Sequence, residues 1–238
     1  MAKDIYIFKR IEKKYIVSAD TKNKLLNEIE QYLIPDSHGK STVCSLYLDT
    51  PDFLLIRNSI DAKCYKEKLR LRCYGTPKAE DKIFLEIKKK LKGVVYKRRV
   101  PMTLCQAEKY ISDRTKPLQS QIMNEIDYAM DFYNSPAPSM LIAYEREAYY
   151  IKNMPNVRLT FDYNVRYRND DLYLEHGNVG TKIIPDGTYI LEIKTDGAMP
   201  LWLAHALTKL EIFPHSFSKY GTAYKTELKN TSKEALTV

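Results

Sequence analysis

The sequence predicts an α+β domain in which a large antiparallel sheet of about eight strands is flanked by helices and closed into a barrel. Many segments alternate strictly between apolar and polar residues, as in RLTFDYNVR at residues 158–166, and this is the pattern of a half-buried strand. The strand segments also follow one another at hairpin spacing, whereas parallel strands need long crossovers. Tyrosine is abundant, with 19 residues, and glycine is scarce, with 8, which favours strands over flexible linkers.

The pattern places the elements in a definite order along the chain. Ser18 or Asp20 is a candidate N-cap for the first helix, Thr103 is one for the second, and Pro200 favours a helix start directly after it. Strands are predicted at residues 6–17, 42–50, 64–75, 82–90, 94–102, 140–151, 158–168 and 188–197, and helices at 20–33, 103–112, 118–134 and 201–210.

The chain has no internal repeat, low-complexity block or linker, so its 238 residues predict one domain over 1–225 and a frayed tail over 226–238. The four cysteines have no metal-finger spacing, and no secretory signal is evident, which together predict reduced thiols and a cytoplasmic location. No apolar run approaches the roughly 18 residues that span a bilayer. The sequence therefore predicts no membrane span, and a membrane role would require a partner protein.

The formal charge is +8, which indicates an anionic partner. Nucleic acid, an acidic membrane surface and a phosphate compound all satisfy this requirement. The charge alone does not choose among them.

The polar phase of nearly every predicted strand is rich in Arg, Lys and Glu. A sheet with one solvated side explains any single strand, but solvated faces generally mix in Ser, Thr, Gln and Asn. The alternative is that the charged faces converge inside a barrel, where arginines and lysines grip a polyanion and carboxylates hold a divalent metal. Residues on these phases include Arg10, Glu12 and Lys14; Lys68, Arg70 and Arg72; Glu86 and Lys88; Lys97 and Arg99; Arg158 and Asp162; Glu192 and Lys194.

Seven segments in order resemble the VTC domain, the polyphosphate polymerase domain of the vacuolar transporter chaperone complex and its bacterial relatives. They are RIEKKYIV, SLYLDTPDF, KLRLRCYG, FLEIKKKLKGVVYKRR, YEREAYY, LEIKTDG and SFSKYGTAY, and they run from about residue 8 to 225. This family belongs to the triphosphate tunnel metalloenzymes, which are related to the CYTH phosphatases. The resemblance implies an eight-stranded antiparallel tunnel and ATP-dependent polyphosphate synthesis with Mn²⁺ or Mg²⁺.

The resemblance also assigns residues to roles. Glu192 resembles the metal-holding glutamate, while Glu12 and Glu86 either help to hold the metal or pair with neighbouring cations. Asp162 is predicted to be an ion-pair partner that orients the arginines beside it. The residues predicted to act on the transferring phosphate are Arg70, Arg72, Lys88, Arg146 and Arg158, and those predicted to bind substrate are Lys14, Lys97, Arg99, Lys194, Ser218 and Lys219.

One departure from the wider superfamily is informative. Its first strand carries the pattern E-x-E-x-K, whereas this chain has Arg10, Glu12 and Lys14 at the corresponding positions. Exchanging a carboxylate for a cation favours a polymerase that grips phosphate over a metal-rich hydrolase.

Two alternatives to the polymerase remain open from the sequence. A triphosphatase of the same fold, acting on tripolyphosphate or nucleoside triphosphates, would need water in place of phosphate as acceptor. A non-catalytic module that binds polyphosphate or RNA also fits the charge, although single-strand nucleic-acid binders interleave exposed aromatics with basic residues. The predicted partners are ATP, pyrophosphate and polyphosphate, without nucleic acid.

Overall fold

The computed structural model describes residues 11–62, 64–92 and 94–235, apart from the side chains of residues 38 and 230–235. The strands are β1 (Ile11–Ser18), β2 (Leu33–Asp49), β3 (Tyr65–Tyr74), β4 (Lys82–Leu91), β5 (Val94–Thr103), β6 (Ala137–Ile151), β7 (Met154–Arg168), β8 (Thr181–Lys182) and β9 (Thr188–Thr195). The helices are α1 (Ala19–Ile29), α2 (Leu54–Asp61), α3 (Leu104–Asp113), α4 (Gln121–Phe132), α5 (Leu201–Lys209) and α6 (Lys219–Ala235).

Eight long strands form one antiparallel sheet in the order β1-β9-β7-β6-β2-β3-β4-β5, and the short β8 pairs with β7. The α+β class and the eight-stranded antiparallel sheet are thus confirmed. The sheet is strongly curved, because Lys88 on β4 reaches Glu12 on β1 at 3.4 Å across the cavity. No strand ladder joins β1 to β5 within the described ranges, so the barrel is open along that seam.

The outer face of the barrel carries the apolar phases of the strands. One buried cluster, with Leu69, Leu71 and Leu85 among its members, packs β2–β6 against α3 and α4. A second, which includes Leu159 and Leu191, packs β1, β7 and β9 against α1 and α5. Since the apolar residues point outward to the helices, alternation turns the charged residues inward.

Helix ends follow the predicted capping chemistry in two cases. The Ser18 hydroxyl accepts a hydrogen bond from the Thr21 N–H at 3.1 Å at the start of α1, and Thr103 forms a reciprocal capping box with Gln106 at the start of α3. Within the described part of the chain, every helix is too short or too polar to cross a membrane.

Two helices were absent from the sequence prediction. Helix α2 has only eight residues, and Asp49 stabilises its start by accepting from the N–H groups of Leu55 and Ile56 at 2.8 and 3.0 Å. Helix α6 replaces most of the predicted tail over 226–238, because it continues to Ala235. Its buried stripe of Tyr220, Ala223 and Tyr224 packs in one cluster with Tyr47 and Tyr144. Within the predicted tail, Glu227 accepts from the Tyr167 hydroxyl at 2.9 Å.

The alternation of β7 breaks at Asn164. This residue has a left-handed backbone (φ 49°), and the pairing of β7 with β6 shifts register between Ala143 and Glu145, as at a β-bulge. Val165 consequently joins the buried inner cluster, and Arg166 instead donates to the Gly180 carbonyl at 3.0 Å. The prediction that Arg166 shares the face of Arg158 and Asp162 is therefore wrong. The predicted strand residues 6–10, with Arg10, lie outside the described residues.

Candidate active site

Three neighbouring strands place their charged inner residues in register. Arg70 on β3, Glu86 on β4 and Arg99 on β5 lie side by side in one row. The next row consists of Lys68, Lys88 and Lys97 on the same three strands. Like charges directly opposite one another are destabilising in a sheet, so this second row favours the presence of an anion.

Glu86 is fully buried (0% exposed) and holds two of these cations. Its Oε2 accepts from Arg70 Nε at 2.8 Å, and its Oε1 lies 2.5 Å from Lys97 Nζ. Burial raises the pKa of Glu86, but Arg70, Arg72 and Lys97 outweigh it and lower that pKa below its usual range. The arrangement supports the ion-pair role that was left open for Glu86 over the role of a metal ligand.

Asp162 on β7 plays the same part on the other side of the cavity. It is 0% exposed, and Arg146 binds it through two hydrogen bonds of 2.6 and 2.8 Å. Lys219 of α6 adds a third contact at 2.5 Å. Burial raises the pKa of Asp162, yet Lys219 and Arg146 lower it overall. Asp162 thus orients two cations, as the sequence predicts.

Glu12 and Glu192 form a different arrangement on β1 and β9. The two carboxyl groups are near enough to influence each other, and every cation near them is more distant than those of Glu86 and Asp162. Lys14 and Lys88 lie 3.4 Å from Glu12. Lys194 and Arg146 lie 3.3 and 3.5 Å from Glu192.

Burial raises the pKa of Glu192, but the charges of Lys194, Lys14 and Arg146, together with the neighbouring Glu12, hold it well below its usual range. Glu192 is therefore an ionised carboxylate beside a second carboxyl group. Mg²⁺ is commonly bound by one or two carboxylates together with substrate phosphates, and this pair fits such an ion. The described residues contain no group of three His, Cys, Asp or Glu side chains able to hold a metal, so substrate phosphate oxygens and water would complete the coordination.

The first turn of α6 forms the floor of the cavity. The Ser218 hydroxyl accepts from the Gly221 N–H at 3.1 Å and from Lys68 Nζ at 3.0 Å. Lys14 Nζ donates to the Phe217 carbonyl at 3.0 Å. Since a helix N-terminus favours anions, this floor adds to the attraction of the cations. Ser218 and Lys219 thus lie where a bound phosphate would end.

Two inward tyrosines are absent from the site residues that the sequence predicts. Tyr47 accepts from Arg70 Nη1 at 3.1 Å, and Tyr144 accepts from Arg72 Nη2 at 3.3 Å. The alternation in SLYLDT carried the signal, because Ser45 and Tyr47 share the phase opposite its apolar residues.

We call the mouth of the cavity the end bounded by the end of β3, the start of β4 and the start of β7, away from the contact of Ser218 with Lys68. Arg158 donates to Asp36 there at 2.7 Å and lies over the Tyr150 ring. Arg99 lies over the Phe84 ring, with 4.6 Å between the guanidinium carbon and the ring centroid. The remaining predicted site residues line the interior between mouth and floor: Glu12, Lys14, Arg70, Arg72, Glu86, Lys88, Lys97, Arg146, Glu192, Lys194, Ser218 and Lys219.

Inside this cavity the cations outnumber the carboxylates. Every fixed carboxylate contacts at least two cations, and Lys68 contacts no carboxylate among the described residues. The arrangement is suited to binding a chain of phosphates and to neutralising charge as a phosphoryl group moves.

Comparison with known proteins places this architecture in a family. A candidate adenylate cyclase of Bacillus halodurans aligns over 90% of this chain and 96% of its own, with a TM-score of 0.55 and 14% identity. A candidate adenylyl cyclase of Hippeastrum with a dominant triphosphatase activity aligns over 92% and 96%, with a TM-score of 0.51 and 14% identity. These likenesses establish the fold. No curated protein matches the chain. The sequence profile of the VTC domain matches residues 9–228, and the chain therefore belongs to the VTC domain family.

Proposed function

We propose that the chain is a polyphosphate polymerase that transfers the γ-phosphate of ATP to the end of a growing polyphosphate chain. The observation that carries the proposal is a cavity lined with fixed cations and ending at a helix N-terminus. Phosphoryl transfer mainly requires that the protein position the reacting groups and stabilise their charge. Arginines and lysines already oriented by Glu86 and Asp162 supply both without reorganisation.

The acceptor that suits this cavity is a phosphate rather than water. Phosphate and polyphosphate ends are already ionised, so they need little help from a general base. The pKa values of Glu86, Asp162 and Glu192 are all lowered, which makes these carboxylates weak bases. These three carboxylates would therefore give little general-base assistance to a water molecule.

Each part of the cavity has a role in the proposed reaction. Arg70, Arg72 and Arg146 bind and neutralise the transferring phosphoryl group, with Lys88 and Arg158 assisting. Lys14, Lys97, Lys194, Ser218 and Lys219 bind the flanking phosphates. Glu192 and Glu12 would hold Mn²⁺ or Mg²⁺, which neutralises charge on phosphate oxygens when bound.

A triphosphatase of the same fold is the second candidate. It is favoured by the likeness to the Hippeastrum protein, for which a dominant triphosphatase activity is stated. The same cations would bind tripolyphosphate or a nucleoside triphosphate, and water would be the acceptor. A non-catalytic polyphosphate receptor would use the cavity without turnover.

The test is incubation of the purified chain with ATP and Mn²⁺ or Mg²⁺, with and without a pyrophosphate primer, followed by separation of the products on a gel. A ladder of long phosphate chains together with ADP is expected. If only free phosphate and ADP form, the protein is a triphosphatase and not a polymerase. If ATP remains intact, the protein is a non-catalytic receptor. We propose a cytoplasmic location, with any membrane association depending on a partner protein, which cell fractionation would check.

A further inference from the structure

The inner face of β3 and β4 changes from charged to aromatic at the mouth of the cavity. Along β3 the inner positions run from Lys68, beside the floor residue Ser218, through Arg70 and Arg72 to Tyr74. Along β4 they run from Lys88 through Glu86 to Phe84 and Lys82. The aromatic end therefore lies farthest from α6.

The Phe84 ring is the centre of this aromatic end. The Tyr74 ring meets it edge-on, with 6.3 Å between centroids, and Tyr74 is 53% exposed. Arg99 lies over the ring at 4.6 Å, and Lys82 Nζ lies 5.6 Å from its centroid. Arg99 forms no ion pair with any residue in the described ranges, in contrast to Arg70, which Glu86 holds.

A partly open ring beside an unpaired guanidinium is suited to stacking a nucleobase. Aromatic side chains and arginine planes both stack on bases, and such stacking tolerates any base because every base has a π-face. The other arginine–aromatic pair at the mouth is less suited, since Arg158 is tied to Asp36 at 2.7 Å.

We propose that the nucleoside of a nucleoside triphosphate docks against Phe84, Tyr74 and Arg99, with its triphosphate directed along the cation rows towards Ser218. This inference rests on the proposed function and deepens it. From Phe84 to Lys88 the strand advances about 13 Å, which leaves room for a triphosphate between the aromatic end and the floor. Arg99, predicted from the sequence to bind phosphate, then contacts the nucleoside end. No base-edge contact is proposed, so ATP and GTP bind similarly.

The experiment compares binding of ATP and of inorganic tripolyphosphate by calorimetry in Mg²⁺, for the full chain and its Phe84→Leu variant. Loss of one stacking surface weakens ATP binding about tenfold, and tripolyphosphate binding stays within about twofold because the cation rows are intact. Tyr74→Leu, at an exposed position, gives a smaller loss in the same direction and guards against misfolding of Phe84→Leu.

Tyr128→Leu is the matched control. Tyr128 is also an exposed aromatic (67%) but lies on α4, on the outside of the barrel, so neither ligand is affected. The inference is overturned if Phe84→Leu and Tyr74→Leu weaken the binding of ATP and of tripolyphosphate equally. It is also overturned if neither variant changes the affinity for ATP. Binding of tripolyphosphate without any binding of ATP to the wild-type chain also overturns it and leaves the cation cavity standing. Failure of both ligands to bind would overturn the proposed function as well.

Discussion

Four carboxylates face the same cavity, but they are held in two different ways. Glu86 and Asp162 form one pair of the comparison, and Glu12 and Glu192 form the other. The first two are fully buried and contact cations at 2.5–2.8 Å. The second two are neighbours, and their cations lie at 3.3–3.5 Å. Close pairing makes a carboxylate part of the framework, whereas loose pairing leaves its oxygens available to a metal bound with phosphate.

Replacing Glu192 by Gln gives the largest expected effect. Removing the ionised carboxylate weakens metal binding, and metal assistance is worth several kcal/mol, so turnover of ATP falls ~100-fold or more. The measurement is initial rate against Mn²⁺ and Mg²⁺ concentration, with circular dichroism as the check on folding. Unchanged turnover in a well-folded variant would remove Glu192 from the proposed metal site.

Replacing Asp162 by Asn tests the framework role. Arg146 and Lys219 then face one another without their shared anion, and breaking a buried ion pair costs about 3–5 kcal/mol of the free energy of unfolding. Added pyrophosphate restores part of this stability because it supplies the missing negative charge. Denaturant unfolding with and without pyrophosphate measures both effects.

The matched control for this variant is Asp186→Asn. Asp186 also pairs with a lysine, Lys182 at 2.5 Å, but the pair is exposed, so its loss leaves unfolding unchanged within error. If Asp162→Asn behaves like Asp186→Asn, the distinction between framework and open carboxylates is wrong.

Lys68, which pairs with no carboxylate among the described residues, extends the comparison to pH. Burial, aided by Lys88, lowers the pKa of Lys68 to about 8 against the opposing effect of Tyr47. Burial raises the pKa of Tyr47, but the charges of Arg70 and its neighbours lower that pKa to about 7. As pH rises from 6.5 to 9, both groups lose a proton and the cavity becomes less positive. Pyrophosphate binding therefore weakens several-fold, as titration calorimetry at each pH would measure.

Stability without ligand changes in the opposite direction. Between about pH 7 and 10 the unfolded chain keeps protons on both groups that the folded chain has released, because their ordinary pKa values are 10.5 and 10.0. The unfolded state therefore binds more protons, and the free energy of unfolding rises with pH. Lys68→Met and Tyr47→Phe each reduce the pH dependence of pyrophosphate binding and the pH dependence of the free energy of unfolding. If binding and stability instead changed in the same direction with pH, Lys68 and Tyr47 would not be the groups that titrate.

The smallest expected effect is that of Ser218→Ala. Loss of the hydroxyl that accepts from Gly221 N–H and Lys68 costs about 1 kcal/mol of stability, as for other N-caps, and weakens pyrophosphate binding a few-fold. Thr103→Ala removes a comparable cap from α3, at the end of β5 that pairs with Lys82 and not at the floor, and changes stability alone. Equal phosphate affinity in the two variants would show that Ser218 serves only the helix.

Much of the fold and the composition of the site could be predicted because strand alternation is local. A period of two residues places Arg70 and Arg72 opposite Leu69 and Leu71 without knowledge of any partner strand. The α+β class, the antiparallel sheet and the inward cations follow from that pattern once the faces meet. The bulge at Asn164 is an exception, because it depends on pairing with β6.

Strand alternation is sufficient to say which residues could face the cavity, but how each one is held depends on contacts between distant parts of the chain. Alternation treats Glu86, Asp162 and Glu192 alike, because all three are carboxylates on polar phases. Their different environments come from residues distant in the chain, such as Lys219 reaching Asp162 across 57 positions and Ser218 meeting Lys68 across 150. Such contacts depend on sheet curvature and on the entry of α6, which no local pattern encodes.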